Sequence, residues 1–378
     1  MKGWHLGWIT ACAVFVAAQI SPQAGQAQNI DRDGRGPIKI MAYNVENLFD
    51  AEHDRGKKDF EFLPTNHPQK ANCETVKYKN ACFKLDWTQA KIDLKLVQIA
   101  KIVNAQGTLP DVLVLEEVEN ERVVSRLGSI LGYQYVVMTN SPDERGIDVA
   151  ILYREDKMRF INQMQARVNL KFPTRDLLVA NFQMPNGEVL GVYANHWPSQ
   201  LTPDSTVRLV VAQQVRAFVD SVGAKFGDKY HVVLTGDFNT IPGDRPHPFK
   251  EVIQHKSWTR RFANVRELYE QGGGKDLPPG TYYFARDKVW NEFDIFFASG
   301  NLYDGTGLDV MVDSFKMVAP EWATKIVSLM DELPSTMQEL VAGRAVRVPK
   351  GYDHHATSEK DAGYSDHFGI VVRIKTGK

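Results

Sequence analysis

Six short runs of this chain are apolar at consecutive positions, Lys39 being the one charged exception, at residues 38–43, 112–115, 149–153, 189–194, 232–234 and 295–298. A strand wetted on one face alternates apolar and polar side chains, whereas a strand buried on both faces does not. Continuous apolarity over such short runs therefore predicts strands covered on both sides. Between them lie helical periods, Ile92, Leu96, Ile99 and Val103, then Val207, Val211, Val215, Phe218 and Val222. Thr202 reads as the cap of the second helix, with Pro203 at its first position and Asp204 in its first turn. Strands and helices interleave with no Pro/Gly/Ser linker, repeat or charge block. That predicts one α/β domain over residues 38–378, with helices covering stacked sheets.

Three stretches read as loops. Residues 51–85 are polar, hold His53, Asp54 and two cysteines, and look like an insertion. Residues 271–280 carry Gly272-Gly273-Gly274 and Pro278-Pro279, a surface connection. Residues 331–365 form a second insertion, a short helical piece and a polar segment with His354 and His355. Long loops of this kind often form lids or substrate walls, but an exposed loop is the plain reading of both insertions.

Residues 1–27 read as a secretory signal. Lys2 precedes an apolar run from Leu6 to Ile20, and Ala24-Gly25-Gln26-Ala27 suits cleavage after Ala27. The run is shorter than the roughly 20 apolar residues of a spanning helix. Residues 28–37 are then a leader of the mature chain. No second stretch is apolar for long enough to cross a bilayer, so a soluble periplasmic or secreted protein is expected. Cys12 leaves with the signal, and Cys73 and Cys82 remain. In an oxidising compartment that pair reads as a disulfide, and its spacing fits no zinc pattern. The 45 Lys and Arg against 46 Asp and Glu exclude binding of nucleic acid by bulk positive charge. They do not exclude a nuclease that engages phosphate through a metal.

The informative residues stand at the ends of the buried runs. Asn44 and Glu46 come after the first, and Glu116-Glu117 after the second. Asn195-His196-Trp197-Pro198-Ser199 closes the run at 189–194, and Gly236-Asp237-Phe238-Asn239 that at 232–234. Asp294 opens the run at 295–298, and Ser365-Asp366-His367 precedes a closing strand at 369–374. One Asp at a strand end is an ordinary turn former. Six elements with carboxylates, amides and imidazoles at their ends are different, because buried Asp and Glu are costly unless paired or metal-bound. Oxygen donors without cysteine suit Mg²⁺ or Mn²⁺ better than zinc. Asp and His together suit a hydrolase that positions a water. Phosphate-binding loops, dinucleotide fingerprints, zinc-protease motifs and serine-hydrolase elbows are missing from the sequence.

Taken in order, these segments resemble the endonuclease/exonuclease/phosphatase superfamily. They are Asn44-Val45-Glu46-Asn47-Leu48, Leu115-Glu116-Glu117-Val118, Asn195-His196-Trp197-Pro198-Ser199, Gly236-Asp237-Phe238-Asn239, Phe293-Asp294-Ile295 and Ser365-Asp366-His367. Arg145-Gly146-Ile147-Asp148-Val149-Ala150 looks most like its bacterial secreted branch. The resemblance implies a four-layer α/β sandwich, two mixed β-sheets packed face to face with helices on the outer faces. It also implies hydrolysis of a phosphoester by metal-assisted in-line attack of water. By motif, Glu117 resembles the principal Mg²⁺ (or Mn²⁺) ligand with Asn44 beside it, and Asp366 a further ligand, direct or through water. His367 resembles the imidazole that contacts the phosphate, oriented by Asp294. Asp237 and Asn239 resemble the pair that aligns nucleophile and phosphate oxygens, and His196 the second histidine. Asp237 and His367 both stay open as the base. Glu46, Arg145 and Asp148 are further candidates for metal or phosphate. Glu116 departs from the Gln of many members.

The expected function is a divalent-metal-dependent phosphodiesterase, a nuclease first of all, with nucleic acid or another phosphodiester as partner. A phosphomonoesterase or a sphingomyelinase-like phospholipase on the same core is the alternative. No exposed aromatic hairpin for membrane insertion is legible, which ranks the lipid reading below the nucleic-acid one. A binding protein that lost catalysis ranks last, since the motif residues are intact. No obligate protein partner is implied.

Overall fold

The computed structural model describes residues 36–376 apart from 203, 256–260 and 328–345. The chain divides into a unit Met1–Asp31 and a unit Arg32–Lys378, and every described residue belongs to the second. The segments read from sequence as a signal and a leader, up to residue 35, and part of the stretch 331–365 thus lie outside the described residues.

In chain order, β1 (Ile38–Leu48) leads through α1 (Lys79–Lys84) and α2 (Gln89–Asn104) to β2 (Val112–Val118). Then come α3 (Glu121–Leu131), β3 (Tyr135–Met138), β4 (Asp148–Tyr153), β5 (Arg159–Ala166), β6 (Leu177–Gln183) and β7 (Val189–His196). α4 (Thr206–Phe226) connects to β8 (Tyr230–Asp237), followed by β9 (Phe262–Asn264) and α5 (Val265–Gln271). A hairpin of β10 (Tyr282–Phe284) and β11 (Val289–Asn291) precedes β12 (Asp294–Ser299) and β13 (Asp309–Val318). β14 (Thr324–Val327), β15 (Val346–Pro349), the short α6 (Glu359–Ala362) and β16 (Gly369–Lys375) complete the described chain.

Two six-stranded sheets result, ordered β13-β16-β1-β2-β4-β3 and β5-β6-β7-β8-β12-β9. Each is mixed, with one parallel pair at its centre, β1 with β2 and β7 with β8. A parallel pair needs a crossover, and helices supply it, α2 for the first and α4 for the second.

The continuous apolar runs follow from this layering. Ile38, Ile40, Ala42, Val112 and Val114 meet Leu190, Val192, Ala194, Val233 and Phe296 between the sheets. Their neighbours Met41, Leu113 and Leu115 turn outward onto Ile92, Leu96, Ile99 and Val103 of α2. Tyr193 and Leu234 turn outward onto Val211, Val215, Val219 and Val222 of α4. Helix, sheet, sheet and helix make four layers, as the resemblance implies. Each buried Val, Leu or Ile contributes about 1.5–3 kcal/mol.

Two local details differ from the sequence reading. α4 begins at Thr206, where Asp204 Oδ1 accepts from the Thr206 amide at 2.9 Å, rather than at Pro203. The first insertion is an ordered lobe. Cys73 and Cys82 form a disulfide in it, and the buried Lys70 ammonium donates to the carbonyls of Glu61, Leu63 and Leu85 at 2.8, 2.9 and 2.6 Å. Among the described residues no helix is long and apolar enough to cross a membrane.

Candidate active site

The central parallel strands of both sheets end at one rim. Register there is broken by bulges, between Asn44 and Leu48 in β1 and between Glu116 and Val118 in β2. Six non-glycine residues among those described have positive φ, and four of them are here: Glu46 (54°), Asn47 (65°), Glu117 (61°) and Asn239 (46°). Such backbone is uncommon outside glycine and clusters where function holds it. In β2 it decides which glutamate faces the rim. Val112 and Val114 point between the sheets, so Glu116 does too, while the left-handed turn at Glu117 takes its side chain out of the alternation. Gly236 (φ 119°) is required, since a Cβ there would lie 2.1 Å from the Asn195 carbonyl oxygen and 2.7 Å from Glu116 Oε1.

Asn44, fully buried, joins the two sheets: its Nδ2 donates to Asp237 Oδ2 at 3.1 Å and to Glu117 Oε1 at 3.4 Å. Asp237 Oδ1 accepts from the Asn239 amide at 2.8 Å, and Asn239 Nδ2 donates to the Trp197 carbonyl at 3.2 Å. His196 Nε2 lies 3.9 Å from Glu117 Oε1 and 3.7 Å from Asp237 Oδ2. His367 Nδ1 is bonded to Asp294 Oδ2 at 2.7 Å. Its Nε2 faces Asp237 Oδ2 at 4.0 Å and Asp366 Oδ1 at 3.9 Å. Glu46 Oε2 accepts from the amides of Tyr352 at 2.6 Å and Asp366 at 2.8 Å. Asn44, Glu46, Glu117, His196, Asp237, Asn239, Asp294, Asp366 and His367 therefore converge from six separate elements.

Two candidates sit further out. Arg145 reaches back to the rim, its Nη2 donating to Asn47 Oδ1 at 2.7 Å. Asp148 accepts from Thr139 Oγ1 at 2.5 Å and the Ser141 amide at 2.8 Å. These bonds hold the loop that carries Arg145, and none of them goes to the cluster.

The two imidazoles are driven in opposite directions. Burial pushes His196 well below histidine's ordinary value, and the positive charges of Arg175, His367 and Arg145 push it the same way. Burial opposes protonation of His367 as well, but the Asp294 charge and hydrogen bond, then Asp366 and Asp237, outweigh it and hold it well above that value. Burial raises Asp237 to about 7. Burial, then the Asp366 charge, raises Glu46 to about 8. Groups whose environments drive them apart in this way are suited to separate acid and base roles.

Among the described residues no three His, Cys, Asp or Glu groups form a ready metal cage. Mg²⁺ does not need one, because it keeps several waters and takes one or two carboxylates. The donors at the rim are hard oxygens, and Glu46, Glu117 and Asp366 repel one another in ionised form. That is the charge pattern a divalent cation relieves, so the residues fit the ion.

Other parts of the site were given no role from sequence. Lys95, fully buried, donates from Nζ to the carbonyls of Glu46 at 3.1 Å and Tyr364 at 3.3 Å and stands 3.8 Å above the Tyr352 ring. Its signal was present, a lysine on the Ile92–Ile99 stripe of α2. Ser365 Oγ donates to the Asn44 carbonyl at 2.7 Å and accepts from the His367 amide. Tyr282 packs on His367 with ring centroids 4.9 Å apart. It belongs to the β10–β11 hairpin, where Phe284 is half-buried and Val289 exposed, so an aromatic hairpin does flank the site. His354 lies in an aromatic box of Phe62, Trp87 and Tyr352, and burial lowers it to about 3.

A sequence profile described as Endonuclease/Exonuclease/phosphatase family matches residues 39–376. No curated protein matches the chain by sequence. Among solved structures, the human Nocturnin catalytic domain with bound sulfate is 15% identical with a TM-score of 0.53, covering 90% of this chain and 94% of that one. The TDP2 of D. rerio, humanised by 14 mutations, is 15% identical with a TM-score of 0.52, covering 90% and 99%. D. rerio TDP2 complexed with a single-strand DNA product is 15% identical with a TM-score of 0.51, over the same shares. At these identities the likeness is one of fold, and the sandwich architecture is shared.

Proposed function

The chain belongs to the endonuclease/exonuclease/phosphatase family, and on that premise we propose that it is a secreted, divalent-metal-dependent phosphodiesterase that cuts nucleic acid. The observation that carries this reading is the Asp294-held His367 facing Asp237 across a rim of carboxylates. Glu117, Asn44, Asp366 and Glu46 would hold Mg²⁺ or Mn²⁺. Bound there, the ion supplies Lewis-acid neutralisation of charge on the phosphate oxygens.

Phosphoryl transfer asks mainly for positioning and charge stabilisation. Protonated His367 donates from Nε2 to a non-bridging phosphate oxygen, with Asp294 holding the ring. His367 then has no vacant nitrogen for the water's proton, so Asp237, raised to about 7, is the base that takes it. Asn239 orients the water and phosphate beside Asp237, and neutral His196 contacts the phosphate from the end of β7. Arg145 extends the positive side of the cleft. The water oxygen bonds to phosphorus as the bond to the leaving oxygen breaks, and that oxygen departs as an alcohol by taking a proton from solvent water.

The disulfide supports an oxidising compartment, since such bonds persist outside the cytosol. The DNA product held by the D. rerio relative supports placing nucleic acid first. The β10–β11 hairpin beside His367 favours a lipid phosphodiester as the second reading.

The test is purified protein given plasmid DNA, RNA, bis-p-nitrophenyl phosphate, p-nitrophenyl phosphate and sphingomyelin, each with Mg²⁺, Mn²⁺ or EDTA. Cleavage of the diesters that EDTA abolishes is expected. Turnover of p-nitrophenyl phosphate alone would make the protein a phosphatase, and full activity in His367→Ala would remove the mechanism.

A further inference from the structure

Two loops carry much of the phosphate side of this site: the one after β7, next to His196, and the one after β8, with Asn239. Behind them lies an ion pair with no part in the mechanism above. Arg208 of α4 is 1% exposed and Asp244 4%. The guanidinium grips the carboxylate twice, Nε to Oδ2 and Nη2 to Oδ1, each at 2.9 Å. Its other hydrogens reach the carbonyls of Pro198 and Ser199 at 3.5 and 3.4 Å and Gln200 Oε1 at 3.3 Å. Gln200 Nε2 in turn donates to the Asn239 carbonyl at 2.6 Å. Asp244 Oδ2 accepts from the Ile241 amide at 3.3 Å. One fork therefore holds the first loop at three points and, through Asp244 and Gln200, closes the second.

Stability alone does not call for this arrangement, because a buried ion pair is often no more stabilising than well-packed apolar side chains of the same volume. A planar guanidinium supplies direction instead, each N–H pointing along a set line. Apolar contacts would let the loops slide; the fork does not.

We propose that Arg208, Asp244 and Gln200 are positioning residues that set the separation of His196 and Asn239 across the phosphate. The proposal rests on the phosphoesterase reading above. It acts on the phosphate side only, since Glu46, Glu117 and Asp366 belong to elements the network does not touch.

Gln200 is half-buried, so Gln200→Ala should fold normally, and Arg208→Lys keeps the charge while losing the fork. Each is compared with the parent for kcat and KM on bis-p-nitrophenyl phosphate, for half-activating Mg²⁺, and for circular dichroism. The ring resonances of His196 and His367 and the side-chain amide of Asn239 are followed by NMR. Misplacement near 1 Å costs about 100-fold, so kcat should fall about 10–100-fold. Half-activating Mg²⁺ should be unchanged, with the His196 and Asn239 resonances shifted and that of His367 still. Folded variants with parental kcat and unshifted His196 and Asn239 would overturn the proposal. So would a loss of kcat that only tracks a smaller folded fraction. If the parent hydrolyses no phosphoester, the phosphoesterase reading fails, and the resonance shifts alone still decide the positioning.

Discussion

His367 and Asp294 are the closest charged pair at the centre of the site, 2.7 Å apart between Nδ1 and Oδ2, and both are almost fully buried. Asp294 enters from the first residue of β12 and His367 from the segment before β16, so the pair also ties one sheet to the other. Asp294→Asn keeps the shape but removes the charge that holds the imidazole protonated. Misassigning a catalytic imidazole's proton costs roughly 100–10,000-fold. kcat should fall within that range with KM little changed, and steady-state kinetics on a diester checks it.

The same burial predicts how stability depends on pH without metal. Asp237 and Glu46 have folded values raised to about 7 and about 8, above the carboxylate range of the unfolded chain. The folded state then binds more protons, so their contribution is complete below about pH 4 and is lost as pH rises through 7 and 8. His367, also raised, adds in the same direction above about pH 6.5. Burial lowers His196 and His354, whose contribution rises with pH up to about 6.5, so in EDTA the melting temperature should fall from pH 7 to 8, and Asp237→Asn should flatten the slope. Mg²⁺ should restore the upper end, because a cation favours the ionised carboxylates. Differential scanning calorimetry decides it, and a flat parental profile counts against the burial argument.

Glu117→Gln removes the carboxylate that the β2 bulge turns to the rim. Loss of outer-shell partners alone weakens metal binding by about 10–100-fold. The Mg²⁺ needed for half-maximal activity should therefore rise by at least about tenfold, with circular dichroism unchanged. Calorimetric titration of Mn²⁺ into the variant gives the same comparison without turnover.

Glu116 is a contrasting case. It is fully buried, neither carboxyl oxygen has a hydrogen-bond partner among the described residues, and burial holds it well above the carboxylate range. A neutral acid resembles an amide in size and polarity. Glu116→Gln should keep a near-parental melting temperature and keep activity. Glu116→Lys places an unpaired charge between the sheets and should not yield soluble folded protein. Thermal unfolding of the two variants checks both outcomes.

The layers were legible because six of the strands covered on both faces write themselves as nearly unbroken apolar runs, whereas β6, covered as fully, is interrupted by Asn181. Strands wetted on one side were not: β5, an edge strand reading Arg-Phe-Ile-Asn-Gln-Met-Gln-Ala, is mostly exposed or half-exposed and has the composition of a loop. The first insertion reads as polar surface because its order comes from one disulfide, one buried lysine capping three carbonyls and the buried side chains of Phe60, Phe62 and Leu63, none of which leaves a periodic mark. The β10–β11 hairpin was missed because three-residue strands are too short for a period to show.

By itself, the chain's order of residues determined which side chains stand at strand ends, and with them the family and the kind of chemistry. The folded arrangement alone decided their aim. Alternation along β2 would send Glu117 outward with Leu115, and a left-handed turn within a bulge sends it to the rim instead. Lys95, Ser365, Tyr282 and Arg208 join or support the site through contacts between residues far apart in the chain. Such contacts depend on how sheets and helices pack, and no spacing along one segment encodes them.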